Sequence, residues 1–207
     1  RAYGAYYSQN RAVTAEDYKS LIYRIPSKFG SVKRCNVIKD TNSFKRNLNI
    51  YVISEDENGF LTPTTPSIKE NVKTWLNSYK MLNDTIDILD AKIINFGIEF
   101  DLISELEADK YEVLSRASRA LETRLIRNKH DIGEPFQITS VHKVLRNVIG
   151  VLDVVSVRLV SKTGGAYSSA FYDLNKHTSA DGRLLLAPEN VILEIKYPNI
   201  DLRGTIR

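Results

Sequence analysis

The sequence is poorest in the residues that carry chemistry. Among 207 residues it holds one cysteine, one methionine, one tryptophan and three histidines. A single thiol, Cys35, excludes an internal disulfide. Its position beside Val37 in a strand pattern fits a small buried apolar side chain in a chain suited to a reducing cytosol. His130, His142 and His177 are scattered, none at H-E-x-x-H spacing, so zinc hydrolysis has no support. Gly164-Gly165 is not followed by GK[ST] and no G-x-G-x-x-G occurs, which removes the phosphate-loop and dinucleotide readings. No G-x-S-x-G elbow is present. The acidic turn from Glu55 to Gly59 fails the calcium-loop template, because Ser54 and Thr65 stand where acids are required, and it reads as a hairpin loop. No cofactor, metal, small-molecule substrate or catalytic residue is therefore expected. Long apolar runs are missing too, and no charged-then-apolar segment opens the chain, so no membrane span or secretory leader is expected within these residues. The chain opens on Arg1, not Met, and is read as a piece of something longer.

What is present is an ordinary globular composition, 43% hydrophobic, with its charge sorted along the chain. A chain of this length can bury roughly 70% of its unfolded surface, enough for one or two domains. Residues 1–50 carry ten Lys/Arg against three Asp/Glu, whereas residues 51–110 carry five against twelve. Such blocks either form solvated faces or set up head-to-tail contact between copies or with neighbours.

The most specified stretch is NRAVTAEDYKSLIYRIPSKFG, Asn10 to Gly30. Thr14 stands at an N-cap, with Asp17 placed to reach back in a capping box and Glu16 and Asp17 at the positive end of the helix dipole. Val13 and Tyr18 have the spacing of a hydrophobic staple. Tyr18, Leu21, Ile22 and Ile25 form one helical stripe, and Pro26 stops the helix. Strand candidates follow at Val32–Ile38 and Asn47–Ile53, then the turn-rich DENGFLTPTTP. A second helix is predicted from Ser67, capped by Ser67 with Glu70, to about Leu82, with Ile68, Val72, Trp75 or Leu76, Tyr79 and Leu82 on one side. From Thr85 to Ile103 apolar residues alternate with Asp87, Asn95, Glu99 and Asp101, the period of a long half-buried strand, bent or broken near Asp90 to Lys92 and bridging two subdomains.

This order of elements behind the RAVTAEDY opening resembles the baseplate J-like family of contractile-tail phages, over roughly residues 9–160. The resemblance implies a structural virion protein of the tail baseplate wedge, assembled in the host cytoplasm and without catalysis. It further implies contacts that build a ring and transmit its rearrangement on contraction. Its partners would be further copies of itself, as homodimer or ring, and other baseplate wedge proteins.

A third helix is predicted at about Ala108–Arg127, with Tyr111, Leu114, Ala117, Leu121 and Leu125 inward. Its Arg116, Arg119, Arg124 and Arg127 could meet phosphates or, interleaved with Glu112 and Glu122, a solvent or partner face. A short helix near Thr139–Asn147 precedes a strand at about Val151–Val160. Helix, glycine and valine-rich strand thus occur twice, before Gly30 and before Gly150, each glycine serving a tight reversal. Beyond Ser161 the chain turns Gly/Ser/Thr-rich, with Asp181-Gly182 as a turn signal and a strand at Val191–Tyr197 ended by Pro198. That strand, on a flexible lead, is suited to joining a sheet of its own chain or of a partner.

The expected fold class is α+β: two small helix/strand subdomains joined by a long strand segment, with an extended C-terminal arm. The boundaries are 1–88, with a Tyr-rich arm, 89–162 and an extension at 163–207. Interface residues are sought among Tyr3, Tyr6 and Tyr7 on the arm, which pack back or meet a partner, and among Arg11, Phe171, Tyr172, Ile192 and Ile195. The alternative function, a basic nucleic-acid-binding module, rests on the pI near 9.0 and Lys28, Lys33, Arg34, Lys45 and Arg46, without an RRM, zinc-finger or KH signature.

Overall fold

The computed structural model describes residues 11–40, 47–127 and 130–207. The fold is α+β, in two compact units, Arg1–Ala91 and Lys92–Arg207.

In the first unit Thr14 caps helix α1 (Ala15–Tyr23). Its hydroxyl accepts the Asp17 N–H at 3.2 Å, while the Asp17 carboxylate accepts the N–H groups of Thr14 and Val13 at 2.9 and 3.1 Å. These backbone donors, Thr14's foremost, hold the Asp17 carboxyl below the usual range. The reciprocal box is complete, although Val13 itself stays exposed. Tyr18 and Ile22 face the core. A 3₁₀ turn, Ser27–Phe29, then leads through Gly30 into β1 (Arg34–Lys39). Gly30 has φ +98, and an added Cβ would stand 2.6 Å from the Ile68 side chain, so the reversal requires glycine.

Strand β2 (Asn47–Glu55) is the centre of this sheet, antiparallel to β1 and parallel to β4 (Thr85–Asp90), with the short β3 (Leu61–Thr62) closing a hairpin. The expected hairpin loop is held by Asp56, whose carboxylate accepts the N–H groups of Asn58 and Phe60 at 2.9 and 2.8 Å. Ile50 and Val52 alternate inward against Val72 and Leu76 of helix α2 (Pro66–Asn77). Two expectations for this helix are corrected. It starts at Pro66, not Ser67, with Thr65 in the cap position and no side-chain cap, because proline's fixed φ and missing N–H suit the first helical position. It also ends at Asn77, leaving Leu82 in the following turn fully exposed at 100%.

The predicted long strand is broken at Ala91: β4 belongs to the first unit, and β5 (Lys92–Ser104) is the central strand of the second. Its even residues Ile94, Phe96, Ile98, Phe100 and Leu102 form a core with Val113, Ala117 and Leu121 of α3 (Lys110–Arg127). Tyr111 is not in that core; it is 87% exposed, since the inward stripe runs through Val113. After β6 (Phe136–Gln137), helix α4 (Ile138–Arg146) adds Val141 and Leu145 to the core. Strand β7 (Val151–Lys162) pairs antiparallel with β5. Between α4 and β7 stands Gly150 at φ +90, where an added Cβ would lie 2.8 Å from Val113.

Residues 163–207 add strands to β5 within their own chain. After α5 (Leu174–His177) and β8 (Leu184–Leu185), β9 (Val191–Glu194) pairs with the first part of β5 and β10 (Leu202–Ile206) with the second, both parallel. The strand predicted to Tyr197 stops at Glu194, and Pro198 opens a short helix, α6 (Pro198–Asp201), instead of ending a strand. The Gly/Ser-rich lead is pinned by polar bonds. Asn95, buried in β5, accepts the Ser168 N–H at 2.8 Å and donates to Glu194 at 2.9 Å. Buried Asp201 accepts from the Tyr167 hydroxyl at 2.7 Å and the Tyr197 N–H at 2.9 Å. Gly97 permits this approach, since a Cβ there would sit 2.7 Å from the Asp201 carbonyl oxygen.

Candidate assembly surfaces

Two surfaces combine exposed apolar side chains with charge of one predominant sign. The first is a basic ledge on the first unit, where α1 ends. Its backbone is fixed by the 3₁₀ turn, with Gly30 N–H to Ser27 O at 3.0 Å, and by the Asn71 side-chain amide donating to Phe29 O at 3.0 Å. Tyr23 is about half exposed, 52%, while its hydroxyl accepts the Cys35 N–H at 3.1 Å. Phe29 carries the Lys28 ammonium 4.8 Å from its ring centre. Arg24 and Lys28 are exposed, whereas Lys33 beside them is paired with Glu55 at 2.9 Å.

The second surface is an acidic corner on the second unit, where β5 ends and β7 begins. The Glu105 N–H donates to Gly150 O at 3.1 Å, joining the loop before α3 to the turn before β7. Asp109 accepts the Tyr111 N–H at 2.9 Å and starts α3. Arg116 ties both sides together, pairing with Glu112 at 3.0 Å and donating to Ile149 O at 3.4 Å. Leu106, Tyr111 and Ile149 project from this frame, all exposed. Two register shifts against β5 fall next to it, leaving Leu152 and Val155 without partners in the ladder, and these residues are 63% and 46% exposed. Bulges re-aim side chains and blunt an edge against uncontrolled pairing. Glu105, Glu107, Asp109, Glu112 and Asp153 are exposed around the corner, against the cations Lys110, Arg116 and Arg146.

Farther along the same sheet, the polar face carries an ordered cluster. Asp101 accepts from the hydroxyls of Thr205 and, at 2.8 Å, Ser156, which together hold its carboxyl below the usual range, with Arg158 3.9 Å away. His130 is largely buried against Phe136, and that burial pushes its imidazole pKa down. Among the described residues no three His, Cys, Asp or Glu side chains gather as a metal site would need. No helix of the described residues is long and apolar enough to cross a membrane.

The interface residues sought from sequence are dispersed. Tyr3, Tyr6 and Tyr7 lie outside the described residues. Arg11 and Phe171 are exposed. Tyr172 is buried, its hydroxyl donating to Leu186 O at 2.9 Å and its ring stacked on His177. Ile192 is 1% exposed inside β9, and Ile195 packs against the core. The acidic corner escaped sequence reasoning because Tyr111 fits a helical stripe and Leu152 and Val155 fit a strand. The available signal was Leu106, a large apolar residue in the acidic run ELEAD.

No family model matches the chain, and no curated protein matches it. Its fold is shared with a chain in the cryo-EM structure of the anti-feeding prophage (AFP) baseplate, at a TM-score of 0.56 and 12% identity. The match covers 95% of this chain and 40% of that one, so this chain spans less than half the length of that protein.

Proposed function

We propose that this chain is a structural part of a contractile-tail baseplate, where it makes the protein contacts that build the wedge ring and carry its rearrangement on contraction. The observation that carries the reading is the shared fold, over nearly the whole chain, with a chain of the anti-feeding prophage baseplate. The RAVTAEDY opening supports it independently, as do two surfaces suited to protein contact, each apolar with a charged rim. The role is non-enzymatic, and the protein would work in the tail baseplate after assembly in the host cytoplasm, beside other wedge proteins and further copies of itself.

The basic ledge also favours the second reading, nucleic-acid binding, since Tyr23 and Phe29 beside Arg24 and Lys28 combine ring faces with cations. Mass spectrometry of purified particles, intact and stripped of their baseplates, separates the two. The protein should leave with the baseplate, and particles lacking its gene should carry no complete baseplate. Complete baseplates formed without it would overturn the assignment, and co-purification with nucleic acid instead would favour the second reading.

A further inference from the structure

We infer that the acidic corner of the second unit is a docking surface for a second copy of this chain, whose basic ledge at the end of α1 seats on it head to tail. The inference rests on the assembly reading above and deepens it by naming both faces.

Complementarity carries the choice of occupant. The corner exposes Leu106, Tyr111 and Ile149 within a rim where acids outnumber bases, and the ledge exposes Tyr23 and Phe29 with Arg24 and Lys28. Each face therefore has an apolar centre that gains from leaving water and a rim that would repel its own kind. Pairing corner with corner would bring the carboxylates of Glu105 and Glu107 against one another, and pairing ledge with ledge would do the same to the cations. Corner on ledge satisfies both rims. Both faces are also prepared in advance: backbone bonds join Glu105 to Gly150 and Gly30 to Ser27, so little ordering is needed on contact. The two faces differ, so a corner-on-ledge contact can be repeated head to tail, and such repeated contacts close into rings or extend as filaments.

The test uses two charge-reversed forms of the full chain. In one, Glu105→Lys and Glu107→Lys reverse the corner; in the other, Arg24→Glu and Lys28→Glu reverse the ledge. All four side chains are exposed and lie outside both cores, so melting temperature serves as the control for folding. Sedimentation velocity should find that the unaltered chain self-associates and that each reversed form does so about tenfold or more weakly. An equal mixture of the two reversed forms should recover association, because each then offers the other an opposite rim. Leu106→Ser should weaken association of the unaltered chain without changing its melting temperature.

Association of the ledge-reversed form at full strength would overturn the inference, since the corner would then have another occupant. A mixture that stays monomeric, or an unaltered chain that is monomeric throughout, would overturn it as well. None of these results touches residence in the baseplate, which the particle experiment measures separately.

Discussion

The two units solve the same packing problem with the same parts in different order. Each sheet has a central strand with a long antiparallel neighbour and parallel pairing besides: β2 pairs with β1 and β4, apart from the two-residue β3, and β5 with β7 and the parallel strands β9 and β10. In each, the antiparallel strand is reached from a helix through a glycine of positive φ. A Cβ on that glycine would strike a side chain of a facing helix, Ile68 of α2 at Gly30 and Val113 of α3 at Gly150. The parallel sides differ. The first unit uses the single strand β4, which follows α2 directly, whereas the second fills its parallel side from the far end of the chain and holds the connection with Asn95, Asp201 and Tyr167.

Edge treatment differs as well. The outward N–H groups of Cys35 and Val37 in β1 are taken by the Tyr23 hydroxyl and the Asn36 side chain, so that edge is satisfied locally. Strand β7 is instead bulged twice, and the residues left out of register are apolar and exposed. An edge can thus be quieted by side-chain bonds or by distortion, and the distorted one leaves a surface with something to bind.

The largest effect is expected from emptying one core. Phe100→Ala should cost the second unit about 3–5 kcal/mol. Hydrogen exchange should show lost protection at β5 and β7 with the amides of Leu48 to Val52 little changed; equal loss in both units would mean that they do not stand as separate cores. Next come the two glycines. Gly30→Ala and Gly150→Ala should each destabilise by about 1–3 kcal/mol in chemical denaturation, because both force a side chain into a conformation glycine alone adopts readily. A neutral Gly150→Ala would end the parallel between the two helix-to-strand reversals.

Smaller still is the cap. Thr14→Ala should lower stability by about 1 kcal/mol, and an unchanged melting curve would show that the box does not hold α1. The smallest effects are in pH. Burial and the bond to Asp201 push the Tyr167 phenol up to about 12, so the neutral form is favoured in the folded state. Its contribution is full below the ordinary tyrosine value near 10 and fades as pH rises through about 12. Tyr167→Phe should remove that alkaline slope. Asp17, Asp101 and Asp181, each held below the usual range by hydroxyl or backbone donors, act at the other end. Their stabilisation is present above the ordinary carboxylate value and is lost as pH falls through their lowered values, which an acid melt series would follow.

Features set by near neighbours were legible in the sequence. The Thr14–Asp17 box, the Asp56 hairpin, the alternation of β5 and the break before it at Ala91 all depend on residues a few positions apart. Where two local signals overlap, the more familiar one misleads: Ser67 with Glu70 resembles a capping box, yet Pro66 already occupies the first turn. Tyr111 has helical spacing, but only the position of β5 decides that Val113 turns inward. The cover over Asn95 and Gly97 comes from residues around 168 and 201, far along the chain, and no local pattern announces it. Nor does VLDVVSVRLV reveal its bulges, since register is fixed by the partner strand. The acidic corner is assembled from three segments and exists only once those contacts are made.

On the proposed function, this chain works by binding protein through charged, apolar-centred faces. Sedimentation velocity of the full chain across a salt series, with and without duplex DNA, addresses it most directly. Exposed charges are screened over about 8 Å at physiological ionic strength, so self-association should be discrete at low salt and weaken steadily as salt rises, with DNA left unbound. A chain that remains monomeric at every salt concentration and co-sediments with DNA would contradict it.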